Sequence, residues 1–108
     1  MSQCVIDSLP FLKLLGSCSK KLLRQVIHEA DTDLLNALHE VLVNVDEGNV
    51  ALTQTARFQL RKRRNTFKKL LRNLKAVSSK RNKFKQYGPV IFPIVLPSAV
   101  QWLQNQSK

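Results

Sequence analysis

The charged residues of this chain are divided along its length. All seven acidic residues lie among the first 47 positions, together with only four of the eighteen basic residues. The rest of the chain has no Asp or Glu, and thirteen of its fourteen Lys and Arg lie between Arg57 and Lys85. A basic segment without carboxylates repels itself when the chain compacts. The division therefore predicts a polyanionic partner, with nucleic acid as the first expectation and an anionic membrane as the second. A solvated basic face is the alternative, although soluble surfaces usually mix both signs.

The apolar residues indicate one small domain. They make up 44% of the 108 residues, which is typical of a globular chain, and they concentrate at residues 5–52 and 89–103. No basic region followed by a long apolar stretch opens the sequence, so we expect no secretory signal. The C-terminal apolar run is too short to span a bilayer as a helix. We therefore expect a soluble intracellular protein.

The first segment, residues 1–52, is predicted to form a mildly acidic bundle of three short helices. Its Leu, Ile and Val residues recur at helical spacing, so each helix can bury one face. Polar N-cap residues are expected to begin these helices, and glycines are expected to end the first and the third. They are Ser8 and Gly16 for the first helix, Ser19 for the second, and Asp31 or Thr32 with Gly48 for the third.

The second segment, residues 53–87, is predicted to contain one long basic helix from Thr53 to about Val77. Such a helix would be about 36 Å long, comparable with one turn of duplex DNA. Ser78 and Ser79 interrupt the pattern, and the remaining basic residues are expected on a short helix or turn. Along the long helix, six basic residues recur every three or four positions as one stripe: Arg57, Arg61, Arg64, Lys68, Arg72 and Lys75.

The basic side chains of this segment are the predicted nucleic-acid-binding site. Guanidinium and ammonium groups that bind phosphate release condensed counterions, whatever the base sequence. Few amides accompany them to read base edges, so we expect little sequence preference. Phe58 and Phe67 are expected to anchor the core, with stacking on bases as the alternative. The predicted contacts are Arg57, Arg61, Lys62, Arg63, Arg64, Lys68, Lys69, Arg72, Lys75, Lys80, Arg81, Lys83 and Lys85.

The third segment, residues 88–108, is an apolar tail that contains Pro89, Pro93 and Pro97. Proline lacks a backbone N–H and disfavours a helical residue before it. We therefore expect extended backbone, followed by a short helix from Ser98. The tail is predicted either to dock on a capsid protein or an anionic membrane or to complete the core. Its candidate contact residues are Ile91, Phe92, Val95, Leu96 and Trp102.

No pattern indicates catalysis or a metal centre. Cys4, Cys18, His28 and His39 are spaced too widely for a structural zinc site, so we expect free cysteines. The sequence has no glycine-rich phosphate loop and no nucleophile pattern beside either histidine. We expect no enzyme activity, no metal and no cofactor.

The junction of the basic segment and the tail resembles a family of viral core proteins. Residues 83–97 read KFKQYGPVIFPIVLP, a basic block that meets Gly88 and then an apolar run with prolines. This is similar to the precursor of the adenovirus X (mu) core protein, in which an arginine-rich stretch meets Gly-Gly and then an apolar segment. It is more similar still to short basic proteins of adintoviruses and Polinton-type elements, whose central segment resembles residues 48–53, GNVALT.

The resemblance covers most of the chain and implies a core component that packages DNA, located in the virion core or the host nucleus. It implies that the segment from Arg57 to Lys85 condenses DNA. It also implies that Gly88 corresponds to a junction cut by the viral protease. The sequence departs from the family there, because Pro89 replaces the second glycine and no Leu, Ile or Met stands two residues before Gly88.

Together these patterns predict an all-α protein with three short helices, a long basic helix and an extended apolar tail. It is expected to bind and condense double-stranded DNA without sequence preference, with RNA as an alternative ligand. The second expectation is a membrane-active or capsid-docking minor virion protein that acts through the tail. Contact between the acidic helices of one copy and the basic helix of another would allow self-association.

Overall fold

The structure, a computed structural model, describes residues 2–72 and 74–106. These residues form seven α-helices and no strand, so the prediction of an all-α bundle is confirmed. The helices are α1 (Gln3–Asp7), α2 (Leu9–Ser17), α3 (Lys20–Glu29), α4 (Thr32–Asp46), α5 (Gln54–Lys62), α6 (Arg64–Leu71) and α7 (Val77–Gln106).

Three helix starts and one helix stop lie where the local sequence signals predicted them. A side-chain oxygen accepts a hydrogen bond from a first-turn backbone N–H at each start, which satisfies one of the donors that a helix leaves free. The left-handed turn after α4 is made by Gly48, with φ of 79°. The three caps are Ser19 bound by Leu22 N–H at 3.2 Å, Asp31 by Leu34 N–H at 2.8 Å, and Thr53 by Ala56 N–H at 3.1 Å.

The first predicted helix begins where expected, directly after Ser8, but it ends later than expected. Ser8 is the N-cap of α2, as predicted, and also ends α1, but it is buried and makes no side-chain cap hydrogen bond. The expected stop, Gly16, lies inside α2. A Cβ added at Gly16 would lie 3.2 Å from the Cβ of Leu96 and 3.3 Å from the Cδ of Pro97. Gly16 therefore lets α2 approach α7 closely.

The predicted long basic helix is also wrong, because two shorter helices replace it. The backbone of Arg63 leaves the helical conformation at φ −105° and ψ 24°, which separates α5 from α6. Helix α6 ends at Leu71, and α7 begins at Val77, before the expected break at Ser78 and Ser79. A straight helix of about 36 Å would exceed the longest principal dimension of the molecule, 33 Å. The break keeps both halves against the core.

The largest correction concerns the tail, which is not extended and does not start a separate helix at Ser98. Residues 88–106 continue α7, with Pro89, Pro93 and Pro97 inside the helix. Each proline removes one main-chain hydrogen bond, at a cost of about 3 kcal/mol in a helix interior. Because the prolines recur every four residues, the missing bonds fall on one side, where prolines bend helices. A straight helix of 30 residues would be about 45 Å long, longer than any principal dimension of the molecule.

Burial of the apolar side chains of α7 offsets this loss. Each fully buried Leu, Ile, Val or Phe contributes about 1.5–3 kcal/mol, and α7 buries eight apolar residues in the core that the other helices share. They are Phe84, Ile91, Phe92, Val95, Leu96, Ala99, Val100 and Leu103. Thus the alternative expectation, that the apolar C-terminal segment completes the core, matches the structure.

Helix α7 is the centre of the fold and contacts α2, α3, α4, α5 and α6. The arm formed by α5 and α6 runs antiparallel to it. At one end the Thr53 N–H donates to Ser98 Oγ at 3.4 Å, and at the other Lys83 Nζ donates to the carbonyl oxygen of Lys69 at 3.4 Å. Among the described residues, no helix is both long and apolar enough to cross a membrane.

Candidate nucleic-acid interface

Nine of the thirteen predicted contact residues are exposed. They all belong to α5, α6 and the segment that links α6 to α7, and this whole arm contains no carboxylate. Positive charge therefore covers the arm on its solvent side. The nine are Arg57, Arg61, Lys62, Arg63, Arg64, Lys68, Lys69, Arg72 and Lys75, and we call them the arm cluster.

The first half of the predicted basic stripe survives the break between α5 and α6. Arg57, Arg61 and Arg64 line one shallow groove of about 260 Å³, together with Asp46 from the end of α4. Lys68 follows one turn later on α6. Arg72 lies at the end of α6 and Lys75 beyond it, so the six residues do not form one helix face as expected.

Arg81 is largely engaged within the fold. It is half-buried, and its Nη1 lies 3.3, 2.7 and 2.8 Å from the carbonyl oxygens of Ile27, His28 and Ala30. These carbonyls end α3, where the helix carries partial negative charge and lacks internal donors. Arg81 therefore caps α3 and positions it against α7, which is a structural role that the charge pattern did not indicate.

The other three predicted contacts on α7 are also half-buried and hold neighbouring helices. Lys80 Nζ donates to Asn36 Oδ1 at 2.6 Å, and Lys83 Nζ lies 5.8 Å from the centroid of the Tyr87 ring as well as on the Lys69 carbonyl. Lys85 Nζ lies 2.9 Å from His28 Nδ1. An ammonium group has three donors, so each of these lysines keeps capacity for an external anion.

The position of Phe58 differs from the prediction. It was expected in the core, but it is 55% exposed on α5, with Lys62 Nζ 4.5 Å from its ring centroid. Phe67 is buried as predicted, and Phe84 packs edge-on against Phe92. Of the three phenylalanines in the basic segment, only Phe58 is placed to stack on a base.

The apolar residues predicted to meet a capsid or membrane do not form a free surface. Ile91, Phe92, Val95 and Leu96 have no exposed area, and Trp102 is partly buried against the same core. The reason is the central position of α7, which surrounds these side chains with other helices.

The predicted processing junction at Gly88 is likewise inaccessible. Gly88 is buried inside α7, and a Cβ there would lie 2.8 Å from the Phe92 ring and 3.3 Å from the Cδ1 of Ile27. Proteases cut exposed, extended segments, so the folded chain does not present this bond.

The acidic side chains of the first 47 residues form a separate surface, and they contribute to a raised pKa at one cysteine. Asp7, Glu29, Asp31 and Asp33 line a shallow groove of about 320 Å³. Burial, and then the charge of Asp33 and the other nearby carboxylates, raises the pKa of the Cys4 thiol.

Both cysteines are free. Among residues 2–72 and 74–106, no three His, Cys, Asp or Glu side chains are grouped so that they could hold a metal ion.

His39 on α4 has a shifted pKa. Burial, and then the positive charge of Lys80, lowers the pKa of His39 below its ordinary value of 6.5. The folded protein therefore disfavours the charged ring, which is less well solvated there than in the unfolded chain. The charge of Lys80, in the first turn of α7, thus acts on a side chain of α4.

Sequence reasoning missed a smaller basic group on α3. Lys21, Arg24, Gln25 and His28 line a shallow groove with Lys85 of α7. They lie in the segment whose net charge is negative, so net charge alone does not indicate them. The spacing of Lys21, Arg24 and His28 along α3 places them near one face of the helix, which was the available signal.

The chain matches no protein-family model, no curated protein and no solved structure. What its surface binds is therefore inferred from its own charges and contacts. The resemblance to adenovirus X-like core proteins stays a prediction.

Proposed function

We propose that this protein binds and condenses double-stranded DNA without sequence preference, through the arm cluster. The observation that carries the proposal is the exposure of nine basic side chains on one arm that has no carboxylate of its own. Folding brings these charges together on α5, α6 and the residues that flank α6, so their mutual repulsion destabilises the compact state until an anion binds. The phosphate backbone of a nucleic acid supplies closely spaced negative charge of this kind.

The side chains of the arm favour backbone contacts over base reading. Arg, which makes bidentate bonds to phosphate, supplies five of the nine basic residues. The exposed amides on α5 and α6, Gln54, Gln59 and Asn65, do not form a row on one face. A helix that reads the major groove uses three or four side chains at base edges. Affinity is therefore expected to depend on salt far more than on base sequence.

The net charge of +11 on 108 residues supports a condensing role in particular. A small protein that neutralises many phosphates lowers the repulsion between duplex segments. The layout of the sequence, which resembles viral core proteins, supports a place in the core of a virus or virus-like element. RNA presents the same phosphates and is the alternative ligand.

Salt titration of duplex binding tests the proposal. With six to ten phosphate contacts, affinity should fall by about 10³ to 10⁵ between about 50 and 200 mM salt. Competition between duplexes of unrelated sequence should show no more than a small preference. A flat salt response, or strong selection of one duplex, would refute the proposal.

A charge-matched pair of variants locates the contact surface. The triple variant Arg57→Gln, Arg61→Gln and Arg64→Gln removes three charges from exposed positions of the arm cluster. The control, Lys13→Glu with Gln101→Glu, also lowers the net charge by three, at exposed positions on α2 and α7.

Each lost phosphate contact should reduce the salt slope by about 0.9, so the triple variant should lose about 2.7 in slope and about 500-fold in affinity at 0.1 M salt. The control should lose far less, because its charges interact with DNA only at long range, where salt screens them. Equal losses in the two variants would mean that net charge, and not the arm cluster, governs binding.

A further inference from the structure

Two basic side chains of α7 point to opposite flanks of that helix. Lys83 reaches the last turn of α6, where it contacts the Lys69 carbonyl oxygen, and Lys85 reaches His28 on α3. Residues two apart on a helix are separated by about 200° around its axis, so this divergence follows from the sequence spacing. The first half of α7 thus lies between α6 and α3, with one lysine directed to each side.

Helix α3 adds further positive charge on its flank. Lys21, Arg24 and His28 line a shallow groove of about 330 Å³ with Lys85 and Gln25. Lys21, Arg24 and Gln25 are exposed, and Lys85 is half-buried with its ammonium group held at the groove by the His28 ring. We call Lys21, Arg24 and Lys85 the α3 cluster.

The surface of α7 between the α3 cluster and the last turn of α6 contains two exposed neutral side chains. Asn82 and Gln86, one turn apart on α7, both face solvent there. Packed helices are about 8–10 Å apart, so the distance from α3 across α7 to α6 is about 16–20 Å. That width exceeds the major groove of duplex DNA, about 12 Å. One face can therefore reach phosphates on both sides of a groove.

We propose that the α3 cluster is a second phosphate-binding site and that one nucleic acid duplex contacts α6, α7 and α3 together. This inference rests on the proposed function and extends it to residues in the net-acidic half of the chain. Lys21 and Arg24 bind backbone phosphate, and Lys85 completes the site from α7. The ligand is the phosphodiester group, recognised by charge and by the guanidinium of Arg24.

The test uses the full chain, duplex DNA and two variants of equal net charge. Lys21→Gln with Arg24→Gln removes two charges from the α3 cluster, and Lys13→Glu lowers the net charge by two at an exposed position of α2. The first variant should lose about 1.8 in salt slope and about 60-fold in affinity at 0.1 M salt, because two phosphate contacts are lost. Thermal melts should match the wild type, since all three residues are exposed.

The outcomes separate this inference from the proposed function. If Lys21→Gln with Arg24→Gln binds duplex like Lys13→Glu, while the arm-cluster triple variant still loses affinity, the α3 cluster is not a phosphate site and the arm alone binds DNA. If the wild type itself shows no salt-dependent binding of duplex, the proposed function fails and this extension fails with it. If the salt slope of duplex binding decreases in the α3-cluster and arm-cluster variants but not in Lys13→Glu, the result supports both the proposed function and this inference.

Discussion

Arg81 should prove to be a stability residue, although it lies in the most basic part of the chain. The change that tests this is Arg81→Met, which keeps most of the aliphatic stem and removes every donor. In the wild type, Nη1 of Arg81 lies within 3.3 Å of three carbonyl oxygens at the end of α3. Loss of the guanidinium leaves these acceptors without that donor at the α3–α7 contact.

The size of the effect follows from these contacts. A hydrogen bond to a charged group contributes about 1.5–3 kcal/mol, and a cation at a helix C-terminus adds about 0.3–1 kcal/mol. Because one nitrogen makes all three contacts, they count as at most two bonds, and water can replace the bond to the exposed His28. We expect Arg81→Met to lower the free energy of unfolding by about 2–4 kcal/mol, which corresponds to a fall of about 10–25 °C in Tm.

Urea unfolding followed by circular dichroism measures this change, and Lys83→Met is the matched control. Lys83 is also partly buried, but it makes one long hydrogen bond of 3.4 Å to a carbonyl oxygen and one distant contact, 5.8 Å, with the Tyr87 ring, so its loss should cost about 1 kcal/mol or less. At a temperature where both variants are folded, Arg81→Met should keep the wild-type salt slope for DNA. A variant that is as stable as the wild type but binds DNA more weakly would refute the structural role.

Three further predictions concern other parts of the fold. Gly88→Ala should lower the free energy of unfolding by about 1–3 kcal/mol in urea titration, because its Cβ would lie 2.8 Å from the Phe92 ring; wild-type stability would contradict this packing. The pKa of His39 is lowered by burial and then by Lys80, so the unfolded chain binds more protons. Stability should therefore be full above pH 6.5 and decrease as pH falls below it, and His39→Gln should flatten this dependence in melts at several pH values. Phe58→Ala should leave Tm unchanged and weaken single-stranded DNA binding by about 1–3 kcal/mol in fluorescence titration; a large fall in Tm would place Phe58 in a core contact.

The parts of the fold that could be predicted are those decided within one helical turn. Ser19, Asp31 and Thr53 cap helices because their side chains reach a backbone N–H three residues later. Gly48 ends α4 because a left-handed residue is needed there. In each case the interacting groups are close in sequence, so no knowledge of the tertiary structure is required.

The prolines show why the C-terminal segment could not be predicted in the same way. Proline disfavours a helix locally, but Pro89, Pro93 and Pro97 all lie inside α7. The local cost is about 3 kcal/mol for each, and it is offset by side chains such as Phe92 and Leu96 that contact residues far away in sequence. Only the assembled core reveals that balance.

The same limit applied to the candidate site. Arg72 and Arg81 look alike in sequence, yet one is exposed and the other caps α3. Phe58 and Phe67 also looked alike, and only Phe67 is buried. Charge and periodicity predicted that a basic surface exists, but the neighbouring helix decides which side chains remain on it.

The fold also accommodates partly buried positive charge in a segment that contains no carboxylate. Arg81 donates to carbonyls at the end of α3, and Lys83 donates to the carbonyl of Lys69 in the last turn of α6. Both helix ends carry partial negative charge, so they stabilise these two cations in place of acidic side chains. The nine side chains of the arm cluster are exposed, and the end of α4, at Asp46, lies beside three of them, Arg57, Arg61 and Arg64. The other exposed charges of the arm cluster have no such partner among the contacts described above, which is the physical reason for proposing that an external polyanion binds there.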